Sequence, residues 1–187
     1  MRFILSVLFL LGSFISLGQK PSFSKPSINL DIDSLFEARK KEAIGKPFPV
    51  FKATNETEKI NNEILKGKVV LINFWFEGCP PCMAEMDALN ELYQRLKNNK
   101  DFEFISFTMD QADAIKRVRQ KFKLQFKVFH LKDEECNRLN QAFGYPTSIV
   151  LDRSGKITYL VSGGATDKDK AREFILTKLL SEITKVL

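Results

Sequence analysis

The chain has 187 residues, of which 44% are hydrophobic and 28% are charged. These proportions are those of an ordinary globular domain, and they exclude a largely disordered chain, a collagen-like fibre and a polytopic membrane protein. The formal charge of +6 suits an acidic partner or an anionic surface but assigns no function. The 3 cysteines are too few for the disulfide framework of a small secreted domain. A close pair of cysteines therefore needs a chemical explanation.

Residues 1–18 have the pattern of a targeting segment. Arg2 precedes an apolar run from Phe3 to Leu17, and small residues follow near Gly18, which is typical of a secretory signal peptide. The run is shorter than the about 20 residues that a helix needs to cross a bilayer. We predict export to the periplasm, with membrane association through an uncleaved N-terminus as the alternative. Export makes nucleic acid an unexpected partner and allows disulfides to persist.

The organised part of the chain is predicted to begin near residue 44. Residues 19–43, rich in Ser, Lys and Pro, are interpreted as a linker or loosely packed N-terminal arm. An extended segment at 48–53 and a helix or turn at 60–65 lead to the sequence VVLINFWF at 69–76. Because this run is continuously apolar, it predicts a strand that is covered on both faces and lies inside a sheet.

A helix from Pro80 to about Leu96 follows, with apolar residues at spacings of three and four. Strands and helices then alternate, which indicates an α/β fold with a parallel or mixed sheet flanked by helices. The predicted strands cover 102–109, 126–131 and 147–152, and the helices cover 111–122 and 134–143. Ser154-Gly155 predicts an antiparallel hairpin into a strand at 157–163, and an amphipathic helix covers 167–186.

The pair Cys79-Pro80-Pro81-Cys82 lies where the apolar strand ends and the helix begins. Free N–H groups and the positive end of the helix dipole stabilise a thiolate there, so we expect Cys79 to be the exposed nucleophile. The prolines leave the N–H of Cys82 as the main donor to the Cys79 sulfur. A structural zinc site is the alternative, but it needs about four ligands. Beyond the pair, the chain offers Cys136 and His130 without a paired spacing, and no metal is expected.

The stretch GKVVLINFWFEGCPPC, the later GYPTSIVLD and the order of elements between them resemble the TlpA/ResA-like group of exported thiol–disulfide oxidoreductases. The resemblance covers residues 44–187 and implies a thioredoxin-like fold with an inserted helix–strand unit and an N-terminal extension. It implies that Pro146 is the cis-proline beside the sulfurs and that Tyr145 offers backbone groups to a peptide. We place Trp75 with them as substrate-binding. Gly78 stands where the family commonly has an aromatic residue, which predicts a more open rim.

Glu85 matches a glutamate that the family carries near its cysteines. A partly buried carboxylate there would accept or return the proton of Cys82, whereas the alternative is an acid favoured by the helix dipole. Asn73, on the apolar strand, is expected to be structural, with polar contacts near the site as the alternative. We interpret Cys136 as a buried free thiol rather than a regulatory or resolving cysteine, and His130 as structural.

The resulting prediction is a thiol–disulfide oxidoreductase that uses Cys79 and Cys82 without a further cofactor. The resemblance favours a reductant of protein disulfides, kept reduced by a membrane electron donor and acting, for example, in cytochrome c maturation. A peroxiredoxin-like peroxidase is one alternative, but such enzymes normally have Thr or Ser three residues before the reactive cysteine, where this chain has Phe76. A copper-delivery protein is another, but those proteins typically space the two cysteines by three residues and add a His.

Overall fold

A computed structural model describes residues 31–187; the predicted signal peptide and the first part of the predicted arm lie outside the described residues. The strands are β1 (Lys52–Thr54), β2 (Lys59–Asn61), β3 (Val69–Trp75), β4 (Phe102–Thr108), β5 (Lys127–His130), β6 (Thr147–Leu151) and β7 (Ile157–Ser162). The helices are α1 (Ile32–Ala43), α2 (Pro80–Leu96), α3 (Ala112–Phe122), α4 (Asp133–Leu139), α5 (Lys168–Phe174) and α6 (Leu180–Thr184).

The strands form a mixed sheet in the order β2-β1-β5-β4-β3-β6-β7. As its apolar sequence predicts, β3 lies inside the sheet, parallel to β4 on one side and antiparallel to β6 on the other. β4 and β5 are parallel, and β6 and β7 form the predicted antiparallel hairpin. The α/β class, with a mixed sheet flanked by helices, is therefore confirmed, and α3 with β5 forms a helix–strand unit in the middle of the domain.

Alternate residues of β3 face two hydrophobic clusters, one on each side of the sheet, because successive side chains of a strand point in opposite directions. One cluster includes residues of α1 and α4 together with Val70, Ile72 and Phe74. The other includes residues of α2, α3, α5 and α6 together with Val69, Leu71 and Trp75. Helices on both faces thus explain the absence of polar–apolar alternation in this strand.

The second half of the predicted arm is the helix α1 rather than a loosely packed segment. Phe36 packs against the hydrophobic cluster, with its ring 5.7 Å from that of Phe143. The guanidinium of Arg39 lies over the same Phe143 ring at 4.8 Å and donates a hydrogen bond to the carbonyl of Gln141. The helix is stabilised by these contacts with residues about a hundred positions later in the chain, which composition alone does not reveal.

Two predicted boundaries differ from the structure because of local capping and backbone conformation. The segment predicted as a helix or turn at 60–65 begins with β2 and continues as a 3₁₀ turn, in which the N–H of the second residue, Glu63, is capped by the Asn61 side chain at 2.8 Å. The helix predicted to reach Phe143 ends at Leu139, because Gln141 and Ala142 adopt left-handed conformations with φ of 57° and 55°.

The C-terminal helical region, predicted as one helix, contains a π-helical segment, Ile175–Leu179, between α5 and α6. Its buried residues recur at every fourth position, at Ala171, Ile175, Leu179 and Ile183. In a regular α-helix with 3.6 residues per turn, such a row would rotate away from the core by roughly 40° at each step. The wider π turn reduces this rotation, so all four side chains stay against the sheet. Within residues 31–187, none of the helices is long and apolar enough to span a membrane.

Candidate functional site

The two cysteines lie where β3 gives way to α2. Cys79 is the N-cap residue, with an extended backbone (φ −96°, ψ 103°), and its Sγ accepts a hydrogen bond from the N–H of Cys82 at 3.2 Å. Pro80 and Pro81 occupy the first helical positions, where an N–H would have no helical partner. The sequence therefore forms a helix start at which the Cys82 amide and the helix dipole both act on the Cys79 sulfur.

In the structure, Cys79 and Cys82 form a disulfide, with their Cα atoms 5.2 Å apart. Cys82 is fully buried, whereas 4% of the Cys79 surface remains exposed. An attacking thiolate reaches the accessible sulfur first, since access is one of the factors that set the rate of thiol–disulfide exchange. Both cysteines are therefore buried in the disulfide form, and the expectation that Cys79 is exposed is wrong for this form. Of the two, Cys79 keeps the small accessible surface, which favours it as the sulfur that is attacked.

The loop before Cys79 is fixed by charged neighbours. The N–H of Glu77 donates to Asp110 Oδ2 at 2.5 Å, and the Glu77 carboxylate accepts from Arg117 Nε at 2.9 Å and from Nη2 at 2.5 Å. The hydrogen bonds from Arg117 hold the pKa of the Glu77 carboxyl below its usual value. These bonds link the loop to the end of β4 and to α3, so two elements help to fix the loop that carries Cys79.

Glu85 lies on α2, one turn beyond Cys82, and is buried beneath the helix start. Its Oε1 accepts a hydrogen bond from Asn73 Nδ2 at 3.1 Å, and the same amide nitrogen donates to Ser148 Oγ at 3.1 Å. Burial raises the pKa of the Glu85 carboxyl to about 8, and the bond from Asn73 partly offsets this rise. The carboxyl can therefore change its protonation state near neutral pH, which an exposed glutamate does not.

Pro146 and Gly164 close the site opposite the helix start. The Tyr145-Pro146 peptide bond is cis, as the family resemblance implied. A Cβ placed on Gly164 would lie 3.2 Å from Pro146 Cγ, 3.6 Å from Pro81 Cβ and 3.7 Å from Glu85 Oε2. The segment after β7 thus approaches Pro81, Pro146 and the second oxygen of Glu85 so closely that it leaves little room for a side chain.

Tyr145 contributes a ring to the rim of the site. The ring stands perpendicular to that of Phe76, with centroids 5.3 Å apart, and its hydroxyl donates to Met109 Sδ at 3.9 Å. Tyr145 precedes Thr147, the first residue of β6 that pairs with β3. Its backbone therefore lies outside that strand ladder, and its contact with a substrate stays a prediction.

The structure corrects the expectation that Trp75 contacts substrate. Trp75 is fully buried, and its indole Nε1–H donates to Ser106 Oγ at 2.6 Å. Its position in β3 directs the ring into the cluster beneath α2, where burial of a large apolar side chain is favourable and its N–H finds a partner. Trp75 therefore supports the floor of the site instead of lining its surface.

Cys136 is a buried free thiol, as predicted, and burial raises its pKa to about 12. His130 donates from Nδ1 to the backbone carbonyl of Asp110 at 2.8 Å, a structural contact that helps to hold the end of β4. Among the described residues, no cluster of three or more His, Cys, Asp or Glu side chains is arranged to hold a metal ion. Cys136 and His130 therefore do not join Cys79 and Cys82 in such a metal site.

The sequence interpretation overlooked Ser148 and Gly164 and undervalued Asn73. Asn73 and Ser148 are register partners in the β3–β6 ladder; Asn73 interrupts an apolar strand, and Ser148 is one of two polar residues at the start of a fully buried one. A polar residue in a fully buried strand is the signal that could have identified them, because such a group costs free energy unless it finds a partner. Gly164 carries no comparable signal, since its importance arises from its closeness to two other segments, α2 and the residues around Pro146.

Comparisons with known proteins agree with this geometry. The AhpC/TSA family matches residues 44–160. The thiol-disulfide oxidoreductase ResA of Bacillus cereus is 35% identical over 142 residues, which is 75% of this chain and 81% of that protein. A chain from Chlorobium tepidum, assigned as the thiol:disulfide interchange protein DsbE, superposes with a TM-score of 0.64 at 24% identity, covering 75% of this chain and 97% of its own.

A thiol:disulfide interchange protein from Bacteroides sp. has a TM-score of 0.57 at 23% identity, over 73% of this chain and 92% of its own. These two structures support the fold, while the ResA sequence adds the closer relationship. Together with the disulfide at the start of α2, they show that the chain belongs to the ResA-like thiol–disulfide oxidoreductases, enzymes of the thioredoxin superfamily.

Proposed function

We propose that the protein is an exported reductant of protein disulfides. In the reduced form, the Cys79 thiolate attacks a substrate disulfide, forms a mixed disulfide and releases one substrate thiolate. The Cys82 thiolate, formed by loss of its proton, then attacks the Cys79 sulfur. The second substrate thiolate leaves, and the Cys79–Cys82 disulfide remains. Two electrons pass to the substrate, whose two thiolates take up protons.

The observation that carries this proposal is the amide donor to the Cys79 sulfur at the helix start, together with the slightly greater exposure of Cys79. Its Sγ accepts from the Cys82 N–H at 3.2 Å and the residue is 4% exposed, whereas Cys82 is fully buried. A nucleophile needs access and stabilisation of its thiolate, while a resolving thiol needs only to reach the mixed disulfide. The geometry therefore supports dithiol exchange with an external disulfide.

Glu85 is proposed to take the proton of Cys82 during the second step. It lies one helical turn from Cys82, and the raised pKa of its buried carboxyl, about 8, matches proton exchange near neutral pH. The proton of Cys82 passes to Glu85, and Glu85 later releases it to solvent or to the leaving thiolate. This role also explains why a carboxyl is retained where burial disfavours its ionised form.

The family match is compatible with a peroxidase, but the chain lacks the residue that a peroxidase normally has before its reactive cysteine. The AhpC/TSA family covers residues 44–160, yet the residue three positions before Cys79 is Phe76, whose ring packs on Tyr145. It offers no hydroxyl to a peroxide. The copper-delivery alternative lacks support as well, since His130 binds the Asp110 carbonyl and only two residues, not three, separate the cysteines. If the protein reduced hydrogen peroxide catalytically with a thiol donor, the peroxidase alternative would be correct.

The cellular setting follows from the predicted signal segment and from the similarity to ResA. We propose a periplasmic location, cleavage near Gly18, and a membrane electron donor that returns the disulfide to the dithiol. Apocytochrome c is a suitable substrate, because its haem-attachment cysteines must be reduced, and they lie on a chain that is still flexible. The intact mass of the exported protein tests the cleavage, since retention of residues 1–18 would favour the anchored alternative.

The reduction potential of the Cys79–Cys82 couple tests the direction of the reaction. We expect the purified chain to equilibrate with thiol buffers near the value of thioredoxin, about −270 mV, as a reductant requires. A value near that of DsbA, about −120 mV, would make the protein an oxidant. Paired variants test the mechanism: Cys82→Ser should accumulate mixed disulfides with a protein substrate, and Cys79→Ser should not. Equal trapping by both variants would overturn the assignment of the nucleophile.

A further inference from the structure

Three polar side chains meet beneath the disulfide, each from a different element. Asn73 of β3 is fully buried, Ser148 of β6 is 4% exposed, and Glu85 of α2 is 6% exposed. They lie on the side of the sheet that α2 covers, within a largely apolar surrounding where an unpaired polar group is costly. Such a group is retained only if its hydrogen bonds are satisfied or if it serves the site, so the arrangement of donors and acceptors matters.

The amide of Asn73 is satisfied on one side only. Its Nδ2 donates both hydrogens, one to Glu85 Oε1 and one to Ser148 Oγ, each at 3.1 Å. Its Oδ1 is buried and has no hydrogen-bond partner among the described residues. This orientation suits an ionised carboxylate, which can only accept hydrogen bonds. It does not suit a protonated carboxyl whose O–H points to Asn73, since that group needs an acceptor.

We propose that Asn73 and Ser148 are positioning residues that hold Glu85 in both of its protonation states by rotation of the Asn73 amide. With Glu85 ionised, the amide N–H groups face Glu85 and Ser148. With Glu85 protonated, Oδ1 takes that place and accepts from the Glu85 O–H and from the Ser148 hydroxyl, which turns from acceptor to donor. The rotation itself transfers no proton and breaks no covalent bond; only Glu85 gains or loses a proton.

One buried group of the amide stays unpaired in either orientation, Oδ1 in the first and Nδ2 in the second. Neither orientation is therefore strongly preferred, and the state of Glu85 decides between them. The proposal rests on the proposed role of Glu85 as the proton acceptor of Cys82, and it explains how the carboxyl keeps its place while its charge changes. Oε2, on the other side, faces the approach of Gly164 to Pro81 and Pro146.

The titration of Glu85 can be isolated from other groups at the site. Its pKa responds to burial and to the Asn73 bond. No charged side chain among the described residues contributes to that shift, and Gly164, whose Cβ would lie 3.7 Å from Glu85 Oε2, does not titrate. The remaining titratable groups nearby are the thiols of Cys79 and Cys82, which exist only in the reduced form. The oxidised chain therefore reports on Glu85 without interference from the thiols.

The direct test is an NMR titration of the oxidised full chain, with ¹³C in the glutamate carboxyls and ¹⁵N in the asparagine side chains. We expect the Asn73 amide signals to shift with the same midpoint as the Glu85 carboxyl, and Glu85→Gln to abolish that shift. Asn62 is an internal control, because its Oδ1 accepts from the Phe51 N–H at 2.7 Å and its Nδ2 donates to the Pro49 carbonyl at 3.2 Å. Asn73 signals that stay flat through the Glu85 titration would overturn the proposal.

Three variants add a measurement that a purely structural role of Asn73 and Ser148 would not change. Asn73→Leu, close to Asn in size, removes the donor to the carboxylate, so the Glu85 midpoint should rise by about one pH unit. Ser148→Ala should move the Asn73 amide signals and change the Glu85 midpoint, and Ser148→Thr, which keeps a hydroxyl, should restore both. If Asn73→Leu does not fold, the Ser148 pair decides. An unchanged midpoint and unchanged amide signals in Ser148→Ala would contradict the proposal.

Because these titrations use no substrate, they are independent of the proposed function. Reduction of insulin disulfides by the reduced chain tests that function separately. An active protein with flat Asn73 signals would leave the function standing and remove the positioning role. An inactive protein with coupled Asn73 and Glu85 titrations would support the positioning role and overturn the function.

Discussion

Replacing Glu85 by Gln should stabilise the protein in a strongly pH-dependent way. The carboxyl is buried, and its pKa rises from 4.5 to about 8 on folding. Between these two values the folded state holds a proton that the unfolded state has lost. The free energy of unfolding of the natural protein therefore falls with rising pH, by about 1.4 kcal/mol per unit from this group. This loss of stability is absent below pH 4.5, the pKa in the unfolded chain, and complete above about pH 8, the pKa in the folded chain.

Ionisation of Glu85 between pH 4.5 and about pH 8 therefore lowers the free energy of unfolding by about 3 kcal/mol at pH 7 and by about 5 kcal/mol above pH 8. Glu85→Gln removes the charge but keeps an oxygen for the Asn73 N–H, so it should be more stable by these amounts, while the two proteins should converge near pH 4. Urea unfolding of the oxidised chains at several pH values measures the difference.

The matched control is Glu173→Gln, an exposed glutamate on α5, for which no pH-dependent difference is expected. A Glu85→Gln difference that stays constant from acid to alkaline pH would show that Glu85 does not gain its proton on folding. Neither the raised pKa of the buried Glu85 carboxyl nor its role as a proton acceptor would then hold. A difference that grows with pH in both variants would indicate a general charge effect instead.

Three further outcomes follow from the packing. Cys136 in the native oxidised chain should resist alkylation, detected by intact mass, until the protein unfolds, and rapid labelling under native conditions would contradict its burial. Leu179→Ala should lower the free energy of unfolding by about 2–5 kcal/mol, against less than about 0.5 kcal/mol for the exposed Lys170→Ala. Gly164→Val should crowd Pro146 and lower stability by about 1–3 kcal/mol, and an unchanged melting curve would show that the segment yields freely.

The parts of the fold that could be predicted are those whose signals are local. The apolar run of β3, the three- and four-residue spacing in α2 and the CPPC start of that helix each carry their own physical cause, and the structure has α2 at Pro80–Leu96, as predicted. The Cys82 amide as donor to Cys79 likewise follows from two adjacent prolines. In these places, neighbours in sequence decide the outcome.

The parts that could not be predicted depend on residues far apart in the chain. Helix α1 is held by contacts of Phe36 and Arg39 with Phe143, more than a hundred residues away. The end of α4 is set by left-handed conformations at Gln141 and Ala142, which neither residue type favours. The pairing of Asn73 with Ser148 requires the antiparallel register of β3 and β6, which no local pattern announces.

The small exposed fraction of Cys79, 4%, has a consequence for the kind of disulfide that can react. In the exchange reaction the three sulfurs are nearly in line, so the partner's sulfur has to enter a narrow opening with its own chain on either side drawn back. A cysteine held in a rigid, folded surface has less freedom to approach in this way than a cysteine on an unstructured loop or a nascent chain. We therefore expect the low exposure of Cys79 to favour disulfides of unfolded chains over those of folded proteins.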